Sequence, residues 1–257
     1  MTSRPTDSEL PRIHGFLSDF HRRQANRVVD FPGGFAALDD RYTHSRGNNH
    51  LLVDGSTDPE ALPARAEELL GHLPHRLVYV IDDEVAAACR GPLERAGYAH
   101  AATYLMRHTG PVPAHGGARS VGLDELRAPA SEAWRRFLPG VSDEEVHHLV
   151  ERRAARLGAA EDVRFLAVHT QDGEVASWVD LYLDPAAGIA GIEDLVTAEA
   201  HLGQGHAGRV LDTALHLAAE AGCDLRFLTA NEAAWPHRWY GRKGFAVVDT
   251  IHCFERA

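Results

Sequence analysis

Lysine is nearly missing from this chain of 257 residues: Lys243 is the only one, and arginine carries the remaining basic charge. Lys and Arg together number 26 against 37 Asp and Glu, a net charge of −11. No basic surplus is left for a broad nucleic-acid face, so general nucleic-acid binding is excluded. Long apolar runs are missing too. None approaches the roughly 18–20 residues that span a bilayer, so no membrane partner is expected. Met1–Leu10 is polar and lacks the apolar core of a secretory signal. Cysteine is scarce. Cys89, Cys223 and Cys253 are odd in number, widely spaced and form no CxxC pair. That usage suits a reducing compartment, and a cytoplasmic location is the expectation.

What is present reads as an ordinary globular chain of one large or two smaller domains. Thr109–Gly117 has the glycine and proline density of a linker. The expected division is therefore 1–110, a linker at 111–117, and 118–257. In the second part, Ser142-Asp-Glu-Glu145 forms a capping box that opens a helix, which Gly158 can close. Residues 163–168 and 175–183 read as a hairpin around Gln171-Asp-Gly173, and 189–196 as another strand. An amphipathic helix follows, with Ala207, Val210, Leu211, Ala214, Leu215, Leu217 and Ala218 at a 3.6-residue period. Then come a strand at 225–228, a short helix at 236–242 and a strand at 246–254.

The first part repeats the end of this order. A strand at 50–53 precedes a helix capped by Asp58-Pro59, a strand at 77–81, a short helix at 92–95 and a strand at 102–106. Leu77 to Gly97 spans twenty residues and Leu225 to Gly244 nineteen, and both glycines are followed by an aromatic residue and a β-run. Element order and spacing agree together, which points to a diverged internal duplication. The copies differ where chemistry would sit. The first has Gly55-Ser-Thr-Asp-Pro59 with no glycine-rich loop, and Leu93 where the second has Tyr240.

Gly203, Gly205 and Gly208 satisfy G-x-G-x-x-G just before the amphipathic helix. Free backbone N–H groups and the helix dipole converge there, a geometry that binds phosphate. A plain strand-to-helix turn would also use glycine. The dinucleotide reading fails on spacing. Six residues, Thr197 to Leu202, separate the strand from Gly203, and the next strand ends nearly thirty residues beyond it. Coenzyme A is the other candidate.

On Ile192–Ala207, Asn231 and Trp239–Phe245 the chain resembles the GNAT superfamily of N-acetyltransferases. Leu202-Gly-Gln-Gly-His-Ala207 matches the family signature at its glycine and at Ala207, with leucine in its first position. Tyr240-x-x-x-Gly244-Phe245 lies at the family distance behind it. Residues 118–257 carry the resemblance, and the first part carries it faintly, as in a tandem member with a degenerate N-terminal lobe.

The resemblance implies an α/β fold of two GNAT-like lobes, with mixed, mostly antiparallel sheets flanked by helices. It implies an acetyl-CoA-dependent N-acetyltransferase acting on a primary amine, with acetyl-CoA as co-substrate. Gly203, Gln204, Gly205, His206, Ala207 and Gly208 would hold the pyrophosphate, Leu195 and Val196 the thioester end, and Asn231 the cofactor. Tyr240 would be the general acid, since a phenol of pKa near 10 is protonated at neutral pH. Glu193 is the preferred proton acceptor, with Asp194 and Glu232 as alternatives. Adjacent strand residues face opposite ways, so only one of Glu193 and Asp194 is expected in the cleft.

Each residue also has a structural reading: Tyr240 as packing, Asn231 as a cap, Glu193-Asp194 as an exposed pair, and Trp178 as core rather than acceptor wall. Arg209, in the first helical turn, has two readings, added charge for the phosphate and a merely solvated surface arginine. The His147-His148 and His201…His206 pairs lack metal-site spacing, so no metal is expected. Cys223 reads as a small buried hydrophobe. The acceptor is a small-molecule or peptide amine, and a homodimer is compatible with the sequence. A non-catalytic acyl-CoA-binding module is the rival reading, and a nicotinamide or flavin oxidoreductase the third.

Overall fold

The computed structural model describes residues 9–257, so most of the polar stretch Met1–Leu10 lies outside the described residues. In chain order the elements begin α1 (Glu9–Gln24), β1 (Arg27–Phe31), β2 (Gly34–Leu38), β3 (His50–Val53), α2 (Leu62–Leu70), β4 (Arg76–Val80), α3 (Asp83–Arg95) and β5 (Ala99–His108). They continue with β6 (Arg119–Val121), α4 (Leu123–Phe137), α5 (Asp143–Glu151), α6 (Arg153–Arg156), β7 (Asp162–His169), β8 (Val175–Asp184) and β9 (Ile189–Thr197). The last are α7 (His206–Glu220), β10 (Leu225–Asn231), α8 (Pro236–Arg242) and β11 (Phe245–Arg256). The class is α/β, with mostly antiparallel strand pairing, as expected.

Two compact units emerge from the contacts: residues up to Met106 together with Thr229–Ala257, and Arg107–Leu228. The division drawn along the sequence at 111–117 differs in one respect. The C-terminal residues group with the N-terminal ones because β11 pairs antiparallel with β4, Phe254 lying opposite Val78.

In the first unit the strand order is β1-β2-β3-β4-β11-β5. Its core joins Leu51 and Val53 of β3, Leu62, Ala66 and Leu70 of α2, Val78 and Val80 of β4, and Leu93 of α3 to Phe254 of β11. Helix α2 starts later than the Asp58-Pro59 signal suggests. The Asp58 carboxylate accepts from the Glu60 amide and folds 58–60 into a turn, leaving Ala61 as N-cap. The short helix expected at 92–95 is the last turn of α3, which starts nine residues earlier, at Asp83, because Asp82 caps it, its carboxylate accepting from the Val85 N–H at 2.9 Å.

In the second unit the strand order is β10-β9-β8-β7-β6. The hairpin β7–β8 and the strand β9 lie where the β-rich runs and the Gln171-Asp-Gly173 turn place them, and β9 pairs parallel with β10 over 189–192 and 225–228. Ser142 caps α5 as expected, its hydroxyl accepting from the Glu145 N–H at 3.1 Å. That helix stops at Glu151, before α6, rather than running on to Gly158. Helix α7 buries Val210, Leu211, Ala214, Leu215 and Ala218, the stripe read from its period.

Candidate active site

In the second unit, one strand, one loop and one helix start bring together most of the expected site residues. Along β9, Glu193 lies opposite Asp180 of β8 while Val196 lies opposite Trp178, so β9 spends one residue more than its partner. This is a β-bulge. Asp194 takes it up with φ of 51°, the only left-handed non-glycine residue among those described. Leu195 and Val196 follow, half-buried, at the end of the strand.

The bulge overturns the expected alternation of Glu193 and Asp194. Both carboxylates reach the same guanidinium: Arg156 donates to Asp194 at 2.8 Å and to Glu193 at 3.3 Å. Arg152 and Arg153 also donate to Asp194, each at 3.0 Å. Beneath them Arg153 and Arg156 donate to the fully buried Asp180, at 3.2 and 2.8 Å. The Tyr182 hydroxyl donates to Glu193 at 3.0 Å. Burial alone would push the Asp194 carboxyl up, but Arg152, Arg156 and Arg153 hold it well below the usual carboxylate range. Burial pushes the Tyr182 phenol well up, so it stays a donor.

The sequence reading missed this cluster. Arg152-Arg153-x-x-Arg156 has a helical spacing, and Asp180 interrupts an apolar strand, but neither signal names its partner.

After β9 and a single 3-10 turn at Glu199–His201, the chain reaches the glycine loop. Gly203 and Gly205 have φ of 75° and 82°, and a Cβ on either would meet nothing within 4 Å. Gly205 is the N-cap of α7, so the first amides, through His206 and Ala207 to Gly208, have no intrahelical acceptor. Gln204 is exposed and donates to the Ala200 carbonyl. His206 lies edge-on to His201, ring centroids 6.0 Å apart. Burial and Arg209 push its pKa down, which favours the neutral imidazole. Arg209 is not merely solvated, because its Nε donates to the Gly116 carbonyl at 3.1 Å.

Asn231 and Tyr240 belong to the first unit. The Asn231 side chain accepts from the Ala233 N–H at 2.8 Å and shapes the turn before α8. Tyr240, on α8, is half-buried, its ring 5.1 Å from Trp239 and 5.8 Å from Phe245. Glu232 accepts from the Tyr104 hydroxyl at 2.8 Å. Trp178 is core, with 1 % of its surface exposed. Cys223 is buried, and burial raises its thiol pKa.

Residues 127–245 match the Acetyltransferase (GNAT) family. A GNAT acetyltransferase domain therefore occupies residues 127–245. Solved structures agree in fold over nearly the whole chain. A GCN5-related N-acetyltransferase from Kribbella flavida is 17% identical, with TM-score 0.65 over 98% of this chain and 96% of the other. A functionally unknown conserved protein from Staphylococcus epidermidis gives TM-score 0.67 at 10% identity, over 91% and 94%. A tandem GNAT protein from the clavulanic acid biosynthesis pathway gives 0.57 at 13%, over 97% and 95%. None of the curated proteins matches the sequence. The GNAT fold here is therefore two mostly antiparallel lobes, and no helix among the described residues is long and apolar enough to cross a membrane.

Proposed function

We propose that this protein is an acetyl-CoA-dependent N-acetyltransferase that moves an acetyl group directly from the thioester to a primary amine. The observation that carries this reading is an open, amide-rich helix start following a bulged strand end. The residues fit the ligand: the positive-φ glycines leave open space where side chains would stand, and α7 aims unpaired N–H groups into it.

Acetyl-CoA, as co-substrate, supplies the activated acyl group. The amides of Gly203, Gln204, Gly205, His206, Ala207 and Gly208 bind the pyrophosphate, and the backbone of Leu195 and Val196 orients the thioester end. Asn231 contacts the cofactor. Tyr240 gives its phenolic proton to the departing thiolate, and Glu193, held by Arg156 and Tyr182, takes the ammonium proton directly or through water. The acceptor is a small-molecule or peptide amine, and the three free cysteines fit a cytoplasmic protein.

Parallel titration with acetyl-CoA and NAD, followed by thiol release across an amine panel, tests this. The expected result is acetyl-CoA binding with thiol release that Tyr240→Phe slows. Binding without release, and no effect of Tyr240→Phe, would favour a non-catalytic acyl-CoA-binding module. NAD binding without acetyl-CoA binding would end the reading.

A further inference from the structure

The arginine cluster under β9 has hydrogen-bond donors left over, although every carboxylate oxygen beside it already accepts at least one bond. Arg152 Nε, Arg153 Nη1, Arg156 Nε and Trp178 Nε1 are buried with no partner among the described residues. Every carboxylate oxygen facing them is already engaged. Asp180 accepts from Arg153 on one oxygen and from Arg156 and Tyr182 on the other. Asp194 accepts from Arg152 on one oxygen and from all three arginines on the other. Glu193 accepts from Arg156 and Tyr182. Three guanidinium groups balance three carboxylates, so the surplus is of N–H groups rather than of charge. Buried donors of this kind call for an acceptor atom.

Two of the four donor residues, Arg153 and Trp178, line a cavity of about 60 Å³ that Trp134, Phe137, Val196 and Asp194 also line. Arg153 and Trp178 are each 1 % exposed, so they belong to its interior. Phe137, half-exposed, marks its outer side. Trp134 and Phe137 meet edge to face, and the Arg152 guanidinium lies over the Trp134 ring, which fixes the aromatic wall. The space suits a short apolar group, and the unmet donors suit an oxygen attached beside it. A polycation would bring further donors to a site that already has too many.

We infer that this cavity is the acceptor subsite, and that the acceptor is a small amine bearing a carboxylate or carbonyl oxygen next to an apolar group. An amino acid or its carboxamide has this chemistry, and a polyamine or aminoglycoside does not. The word acceptor rests on the acetyl-transfer reading above; binding in the cavity does not.

The test is calorimetric titration of the full chain, without acetyl-CoA, using L-leucine, leucinamide, 3-methylbutylamine and spermidine. The third is leucine without its carboxyl group. Leucine or leucinamide binds roughly ten- to a hundredfold tighter than 3-methylbutylamine, the worth of hydrogen bonds from a charged donor. The tighter of the two identifies the oxygen as carboxylate or carbonyl.

Trp178→Phe keeps the aromatic wall, removes one N–H and narrows that preference. Phe137→Ala weakens leucine and 3-methylbutylamine alike. Arg153→Met removes the preference, and where it fails to fold, Trp178→Phe carries the test. Equal affinity for leucine, leucinamide and 3-methylbutylamine, tighter binding of spermidine, or binding of none overturns the assignment. Leucine binding by a protein that ignores acetyl-CoA leaves the subsite standing and sinks the transferase. Acetyl-CoA binding without any preference for leucine or leucinamide does the reverse.

Discussion

The two copies of the strand–helix–strand motif start alike and end with different surfaces. In the second copy, β9 carries a bulge, and Gly203 and Gly205 leave open space before α7. In the first, β3 pairs with β2 and β4 without any shift in register. Its following loop is occupied. Asp54 and Gly55 donate to the Gly33 carbonyl, and a Cβ on Gly33 would collide with the Ser56 carbonyl. Helix α2 also has proline in its first turn and no side-chain cap, so one of the amides an anion would need is missing. One framework can serve as a binding site or as packing. What separates the two is whether the helix start is open and whether the strand before it is bulged.

The sharpest way to break this comparison is Gly205→Val. A β-branched residue disfavours the positive φ and fills the space above the amides, so acetyl-CoA binding falls about a hundredfold or more by calorimetry, the scale of losing several charge-assisted bonds. Gly55→Ala, whose Cβ would make only ordinary contact with Gly33, leaves that binding unchanged.

Next in size is the bulge. Asp194→Ala leaves the buried Arg152 without a carboxylate and takes one from Arg153 and Arg156, which costs about 3–5 kcal/mol in denaturant unfolding at neutral pH. Because the Asp194 carboxyl is held below its ordinary pKa, its contribution is present above about pH 4 and is lost as pH falls further. The stabilities of the parent and of Asp194→Asn therefore converge in acid.

The paired positions Leu93 and Tyr240 sharpen the contrast. Leu93, fully buried, should cost roughly 2–5 kcal/mol of stability as Leu93→Ala with kcat unchanged. Tyr240→Phe should lower kcat roughly a hundredfold with acetyl-CoA binding retained. The smallest effect separates nothing. Asp82→Ala and Ser142→Ala, caps in the first and second units, should each cost about 1 kcal/mol in the same unfolding assay.

The β-rich runs of β7, β8 and β9, the Gln171-Asp-Gly173 turn and the 3.6-residue period of α7 made these elements legible, because each signal is local. The capping box at Ser142 was legible for the same local reason. Helix α1 was not, since Pro11 and Gly15 interrupt it as breakers would. The hairpin of β1 and β2 was missed despite its Pro32-Gly33 turn, because β2, with one glycine, two alanines and no β-branched residue, lacks the composition of a strand. The place of β11 beside β4 was beyond reach, since a strand's pattern says nothing about which edge it joins. At the site, the glycine loop could be read because glycine at positive φ is a local requirement. The opposite facing expected of Glu193 and Asp194 did not hold, because one inserted residue reverses the facing of a strand and nothing in two adjacent acids announces it.

The pairing of β11 with β4 also sets an order of events during synthesis. β3, α2, β4 and α3 leave the ribosome more than 140 residues before Phe254, which completes their core. The second unit has all its residues before then and is free to fold first. The earlier segment must keep its apolar faces out of trouble until β11 arrives, so a premature stop after β10 would damage a core whose other strands and helices were made long before.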